Sequence, residues 1–77
     1  MEKIYLTDDI YVASVLKLCG FKLVTVSKTG DRGTFHFADR DDRSQIVQDY
    51  FSGDLTGSLK QFASTWGDLK SLVTQME

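Results

Sequence analysis

This 77-residue sequence contains no proline, one cysteine and one histidine. The single cysteine, Cys19, excludes an intrachain disulfide, and Cys19 with His36 falls short of the four ligands of a structural zinc site. We therefore expect neither a metal nor another cofactor. A chain this short buries a small core, and domains of this size often add a disulfide, a metal or an oligomer interface. Of these sources of additional stability, the composition leaves an oligomer interface or another bound partner.

Basic charge and long apolar runs are also scarce. The formal net charge is −2, whereas nonspecific nucleic-acid binders use a basic excess to neutralise phosphates. No stretch approaches the roughly 18 apolar residues of a membrane span, and no apolar run typical of a signal peptide follows the N-terminus. We therefore expect a cytoplasmic protein with no membrane partner.

The residues that are present are typical of a folded chain. Apolar residues make up 42% of the sequence and charged residues 26%, which fits one globular domain over 1–77 and argues against disorder. Local patterns give the element order β-α-β-β-α-α. The predicted fold is α+β, with a small three-stranded, mainly antiparallel sheet covered on one face by helices.

The first predicted elements are a strand over 3–6 and a helix over 8–19. Thr7 offers a hydroxyl for the N-cap of this helix, and Gly20 follows its end. The helix is apolar over a broad side, which predicts burial, and Ser14 lies on the side expected to face water.

A β-hairpin is predicted next. The stretches 21–28 and 33–38 are rich in β-forming residues, and a glycine-containing turn over 28–32 separates them. Because side chains alternate along a strand, Phe35 and Phe37 share one face. These two rings are expected to face the core.

Two further helices complete the chain. Asp39 is expected to cap a helix over 40–52, which Gly53 ends. After a short loop, Ser58 is expected to cap a third helix that runs to about Gln75.

The sequence contains no recognisable catalytic constellation. Asp39, Asp41 and Asp42 could suggest a cation site, but arginines interrupt the run and helix starts favour carboxylates in any case. Cys19 is expected to be buried under the sheet. His36 is expected to face solvent on its strand, away from the nucleophile and orienting carboxylate that catalysis would need. We expect no enzymatic activity, no catalytic residue and no small-molecule substrate.

The third helix is the first candidate binding surface, since its apolar residues form a regular 3-4 seam. One face of a three-stranded sheet is too small to cover the apolar stripes of three helices, which predicts uncovered apolar surface. We expect Ile10, Trp66 and Met76 in that surface. The candidate partner-binding residues are Ile10, Trp66, Leu69, Val73 and Met76.

The hairpin is the second candidate surface, since basic residues gather in and around it. Such a face can meet phosphates or an acidic protein. The hairpin lacks outward aromatic residues, which argues against the base stacking of single-strand binders. The candidate basic face consists of Lys22, Lys28, Arg32, His36, Arg40 and Arg43.

Four short segments carry a resemblance to a known family. They are Thr7-Asp8-Asp9-Ile10-Tyr11, Gly20-Phe21-Lys22-Leu23, Phe35-x-Phe37-x-Asp39 and Asp49-Tyr50-Phe51-x-Gly53. Together they resemble a family of short uncharacterised proteins from phage, mobile-element and metagenomic sequences, classed as a domain of unknown function. The chain departs from that pattern at Gly33-Thr34, where a β-branched pair is usual, and at Ala38, where an acid is common.

The resemblance implies a role but no functional residues. It suggests an accessory of a phage or mobile element, in the host cytosol, that binds and modulates a larger host or element protein such as a defence nuclease. Our leading hypothesis is a non-enzymatic protein-interaction module that works as a small oligomer. The alternative is a nucleic-acid-binding accessory that uses the basic face of the 21–38 hairpin.

Overall fold

A computed structural model describes residues 3–76 except the side chain of Thr29; residues 1, 2 and 77 lie outside the described part. Its elements appear in the predicted order and form the predicted α+β fold. They are β1 (Ile4–Thr7), α1 (Ile10–Leu18), β2 (Leu23–Thr29), β3 (Arg32–Ala38), α2 (Arg43–Ser52) and α3 (Leu59–Gln75).

The described strands form one antiparallel sheet in the order β1-β3-β2. The hairpin between β2 and β3 turns through two residues, Gly30 and Asp31, and Gly30 has a φ of +62° that favours glycine. In this register Lys28 pairs with Gly33 and Tyr5 pairs with Phe37. The central strand is therefore β3, and β1 and β2 are the edges.

The core lies between one face of the sheet and the helices. Phe35 and Phe37 are both buried there, which confirms their predicted common face. From α3, Leu69 reaches the same cluster and is only 4% exposed. Within residues 3–76 the buried apolar residues are Val12, Ala13, Val15, Leu16, Phe21, Phe35, Phe37 and Leu69.

The start of α1 differs from the prediction. Asp9, not Thr7, is the N-cap, since its Oδ1 accepts hydrogen bonds from the backbone N–H groups of Tyr11 (2.9 Å) and Val12 (3.4 Å). Thr7 still belongs to β1, where it pairs with Phe35, and strand pairing thus delays the helix. The other end agrees with the prediction, because a glycine in the left-handed region follows the helix.

Ser14 is buried, so its predicted place on the water-facing side of α1 is wrong. Its hydroxyl donates a 2.7 Å hydrogen bond to the carbonyl of Ile10 one turn earlier, which satisfies the hydroxyl inside the helix. Because α1 is packed against β1, α2 and α3, it has more than one covered side. Leu18, on the predicted apolar side, is exposed instead.

The start of α2 also differs from the prediction. Asp42 is its N-cap and, within the described residues, makes no side-chain capping bond. Asp39 instead accepts hydrogen bonds from the backbone of Arg40 (2.9 Å) and from the side chain of Arg43 (3.2 Å). The segment after β3 is thus a braced turn, and the helix begins three residues later than predicted. Gly53 ends α2 in the left-handed region, as predicted.

The third helix follows the prediction closely. The Ser58 hydroxyl accepts a 3.2 Å hydrogen bond from the backbone N–H of Gln61, and the helix runs to Gln75. Val73 lies directly over Gly33 of β3, and a Cβ on Gly33 would be 2.5 Å from the Val73 Cγ2. The missing side chain of Gly33 therefore lets α3 approach the sheet closely.

Candidate protein-interaction surfaces

The residues predicted to bind a partner are all at least partly covered, and three of them, Ile10, Trp66 and Val73, line a pocket of about 280 Å³. Leu69 is buried, and Ile10 and Val73 are half-buried against the core cluster. Trp66 and Met76 are also half-buried, and the Trp66 Nε1 is enclosed without a hydrogen-bond partner among the described residues. Uncovered apolar surface does exist, as predicted, but it lies mainly at other residues.

The arginines of the predicted basic face are paired with carboxylates. Arg32 binds Asp8 at 2.9 Å. The other two pairs follow β3: Arg40 binds Asp42 at 2.7 Å, and Arg43 binds Asp39 at 3.2 Å. Each guanidinium charge is therefore offset by a neighbouring acid, which reduces the positive field available to a phosphate.

The six basic residues do not share one face. Arg32 opens β3, whereas Arg40 and Arg43 lie beyond its other end, about 20 Å away along a strand of seven residues. Lys28 lies on the helix-facing side of the sheet, where its Nζ donates a 3.0 Å hydrogen bond to the carbonyl of Met76.

The remaining two basic residues are also apart. His36 lies on the opposite, outer side of the sheet and shares a 3.0 Å hydrogen bond with the Ser27 hydroxyl. Lys22 is exposed just before β2. The structure thus divides the predicted basic face into separate ends and sides of the sheet.

Arg40 and Arg43 brace the turn between β3 and α2. The guanidinium carbon of Arg40 lies 4.2 Å from the centre of the Phe21 ring, and its Nη1 donates a 3.0 Å hydrogen bond to the carbonyl of Cys19. The guanidinium carbon of Arg43 lies 4.1 Å from the centre of the Tyr5 ring. Stacking on aromatic rings suits the planar guanidinium and fixes its direction. These arginines therefore have a structural role in this turn.

The ion pairs change the pKa values of the two aspartates in the turn. The hydrogen bond from Arg43 is the largest cause that lowers the pKa of Asp39, and the hydrogen bond from Arg40 lowers the pKa of Asp42. Both effects favour the ionised carboxylate, which is also the form that holds the arginine. Their direction fits structural ion pairs, since a general acid needs the opposite shift.

Cys19 supplies the single thiol of the sequence. Burial raises the pKa of the Cys19 thiol, and the opposing effect of Arg40 is smaller, so the reactive thiolate is disfavoured.

Within residues 3–76 no group of three or more His, Cys, Asp or Glu side chains is placed to hold a metal. Over the same span, no helix has both the length and the hydropathy needed to cross a membrane.

A groove of about 520 Å³ opens between the three helices. We call it the helical groove. Cys19 is half-buried in its wall, and not beneath the sheet as predicted. The main apolar lining residues are Leu18 and Cys19 at the end of α1, Tyr50 of α2, Leu55 of the following loop, and Leu59 and Phe62 of α3.

Exposed apolar side chains continue the groove outward. Leu59 is 85% exposed at its rim. The exposed ring of Tyr11 stacks on Phe62 with 6.5 Å between ring centres, and the exposed ring of Phe51 packs against Tyr50 at 5.1 Å. Because Phe62 and Tyr50 line the groove, these side chains form one continuous apolar patch.

Sequence reasoning placed the candidate binding surface further along α3 than the exposed apolar patch at the start of that helix. Leu59 opens the seam by its spacing, but the residues that would have to cover it belong to the loop over 53–58. Apart from Leu55, that loop consists of two glycines and small polar residues, and Leu59 stays 85% exposed beside it. An apolar helix start next to such a loop is the signal that could have located the patch.

The outer face of the sheet is a second open surface. Ile4 and Leu6 of β1 are exposed there. Their neighbours across the strands include His36 and the hydroxyl residues Thr25 and Thr34. Mixed polar and apolar side chains are typical of the solvated face of an antiparallel sheet. The composition of this face is therefore that of a solvated sheet surface.

Comparison with curated proteins and with solved structures finds no match for this chain. Residues 2–75 match a family described as a domain of unknown function, DUF5659. That description gives no activity, ligand or partner. The predicted resemblance to a family of unknown function is confirmed, while the phage or mobile-element setting stays a prediction. Since the match spans almost the whole sequence, the chain belongs to the DUF5659 family.

Proposed function

We propose that this chain is a non-enzymatic protein-interaction module and that the helical groove is its docking surface. One observation carries the proposal: a continuous apolar patch surrounds an apolar groove, with Leu59 85% exposed at the rim. Scattered exposed apolar residues are ordinary, but a connected patch around a concavity is typical of a surface that binds another protein. The lining of the groove includes the polar residues Thr56, Ser58 and Gln61 and, within the described part of the chain, has no charged residue.

The resemblance supplies a proposed setting. In that setting the chain is an accessory of a phage or mobile element that modulates a larger host or element protein. An apolar docking surface is compatible with such a role, because a small protein without chemistry of its own acts by occupying another protein's surface.

The nucleic-acid alternative receives less support. Its proposed surface is divided between the two ends and two sides of the sheet, and the three arginines are paired with acids. Phosphate binding would have to displace those acids first. A low-salt gel shift that weakens with added salt and with Arg32→Ala is the result that would restore this alternative.

Affinity purification with two matched variants tests the proposed docking surface. Leu59→Glu places a charge at the groove, and glutamate suits the first turn of α3, so the fold is expected to persist. Leu6→Glu places the same charge on the exposed outer face of the sheet. The tagged protein is expressed in its native cells together with an untagged copy, and retained proteins are quantified by mass spectrometry.

We expect the tagged wild type and tagged Leu6→Glu to retain the same set of proteins. That set contains the untagged copy, a different protein, or both. We expect Leu59→Glu to lose them, because an unpaired charge is costly in an apolar interface. Retention of the same set by Leu59→Glu would contradict the proposal.

A further inference from the structure

We propose that the occupant of the helical groove is a second copy of this chain, in a two-fold symmetric dimer. This inference rests on the proposed function, since it names the partner of the same surface. Four observations lead to it: the weak packing of α2, the shape of the patch, the charges beside it and its area.

The second helix lacks cover from its own chain. None of the residues in α2, all of which the structure describes, is buried, and Phe51 is 68% exposed. Ile46 and Tyr50 are only half-buried against the core. A helix of ten residues depends on tertiary packing for its stability. A second copy of the chain could provide this packing, and it is available in any cell that makes the protein.

The shape of the patch suits self-association. A two-fold interface joins the same patch on both copies, so the patch must contain both a projection and a hollow. Leu59 and Phe51 project, and the groove between Leu18 and Tyr50 is the hollow. A two-fold rotation therefore brings the projecting side chains of each copy to the groove of the other.

Charges of both signs lie on the elements around the groove. Lys17 is next to Leu18 on α1 and Lys60 is next to Leu59 on α3, and neither takes part in an ion pair within residues 3–76. Asp49 on α2 and Asp54 in the loop bind only uncharged side-chain groups among the described residues. Elements with one sign of charge would repel their own copy, whereas these elements carry lysines and aspartates that can pair across the axis.

The size of the patch agrees with a dimer. The exposed parts of Tyr11, Leu18, Phe51 and Leu59 amount to roughly 450 Å² of apolar surface, since a large aromatic side chain carries about 150–250 Å². Interfaces are about 60% apolar, so this patch corresponds to roughly 750 Å² per copy. Stable interfaces of standard size bury about 800 Å² per partner.

The outer face of the sheet is the competing site for a dimer. Leu6 is exposed there, but the strand residues opposite it are His36 and, one strand further, Thr25. The pattern of polar and apolar side chains on this face fits contact with water. The two surfaces make opposite predictions for the variants Leu59→Glu and Leu6→Glu.

Sedimentation velocity on the purified full chain, from about micromolar to about millimolar concentration, distinguishes these outcomes. We expect the wild type and Leu6→Glu to form dimers, and Leu59→Glu to weaken the association by roughly 100-fold or more. Phe51→Lys, at the other projection, is expected to weaken it as well. Far-ultraviolet circular dichroism of each variant verifies that the helices persist.

A wild-type chain that stays monomeric over the whole range overturns the dimer. A dimer that Leu6→Glu dissociates, while Leu59→Glu and Phe51→Lys do not, also overturns it and assigns the outer sheet face instead. If the chain is monomeric but Leu59→Glu still loses other proteins in the purification, the dimer fails and the proposed function stands. If Leu59→Glu changes neither the sedimentation nor the set of retained proteins, both the dimer and the proposed docking surface fail.

Discussion

At the residue scale, Gly33 determines how closely α3 can approach the sheet. A Cβ at this position would be 2.5 Å from the Val73 Cγ2 and 3.1 Å from the Cγ1. Valine is branched at Cβ and has few rotamers, so Val73 cannot easily move aside. The glycine at the second position of β3 is therefore required by packing.

We expect Gly33→Ala to lower the free energy of unfolding by about 1–3 kcal/mol, as overpacking does elsewhere. In a Val73→Ala background the same substitution should cost less, because the space that the new methyl needs is free. Urea unfolding of the two single variants and the double variant measures this coupling. An equal cost in both backgrounds would mean that Val73 is not the obstacle.

Asp39 is expected to make the stability of the fold depend on pH. The hydrogen bond from Arg43 lowers the pKa of Asp39 in the folded chain below its ordinary value of 3.8. A lowered folded-state pKa stabilises the fold above the unfolded pKa, and this contribution is lost as the pH falls through the folded value.

We therefore expect the stability of the wild type to fall as the pH drops below about 3.8, and Asp39→Asn to reduce this dependence. Asp31→Asn, in the exposed hairpin turn, serves as the matched control. Thermal unfolding at a series of acidic pH values measures the difference. A pH dependence that Asp39→Asn leaves unchanged would show that this ion pair does not contribute.

At the element scale, the existence of the helices was predicted better than the residues at which α1 and α2 begin. Adjacent residues that can cap compete at the start of α1, and the pairing of Thr7 with Phe35 leaves Asp9 as the cap. At α2 the competing interaction is the ion pair between Asp39 and Arg43. At Ser58, where no such competing contact intervenes, the predicted cap is confirmed.

The cap assignment can be tested directly. We expect Asp9→Ala to lower the free energy of unfolding by about 1 kcal/mol, because it removes the acceptor for two backbone N–H groups. Asp8→Ala is the matched control, and its cost should be below about 0.5 kcal/mol because its ion pair with Arg32 is exposed. Chemical unfolding of both variants measures the two costs. A larger loss for Asp8→Ala would contradict the assignment.

At the scale of the whole molecule, stability and association are expected to be linked. The buried apolar residues of the described chain number only eight, and a core of this size gives a marginally stable monomer. Any partner that binds only the folded state adds stability that rises with the logarithm of its concentration above the Kd. The proposed dimer would therefore stabilise the chain that forms it.

We expect the midpoint of thermal unfolding of the wild type to rise over a roughly hundredfold increase in protein concentration. Leu59→Glu should remove most of this rise, while Leu6→Glu should retain it, because only the first variant changes the helical groove. Differential scanning calorimetry across the concentration series measures the midpoints. A midpoint that is independent of concentration for the wild type would count against the dimer.

The sequence by itself determined the order of the elements, the hairpin, the common face of Phe35 and Phe37, and the helix ends at Gly20 and Gly53. These features depend on local causes: the spacing of apolar residues, the alternation of a strand and the conformational freedom of glycine. Short-range patterns are complete within a few residues, so they can be interpreted without a structure.

Only the tertiary structure decided the burial of Ser14, the pairing of Arg32 with Asp8 and the position of the apolar patch. Each depends on which elements become neighbours: α1 is packed on several sides, and Asp8, between β1 and α1, reaches Arg32 at the start of β3. Phe51 of α2 and Leu59 of α3 belong to different helices, and one patch joins them because Tyr50, the ring neighbour of Phe51, lines the same groove as Leu59. A contact between distant segments is set by how the whole chain packs, and no local pattern records it.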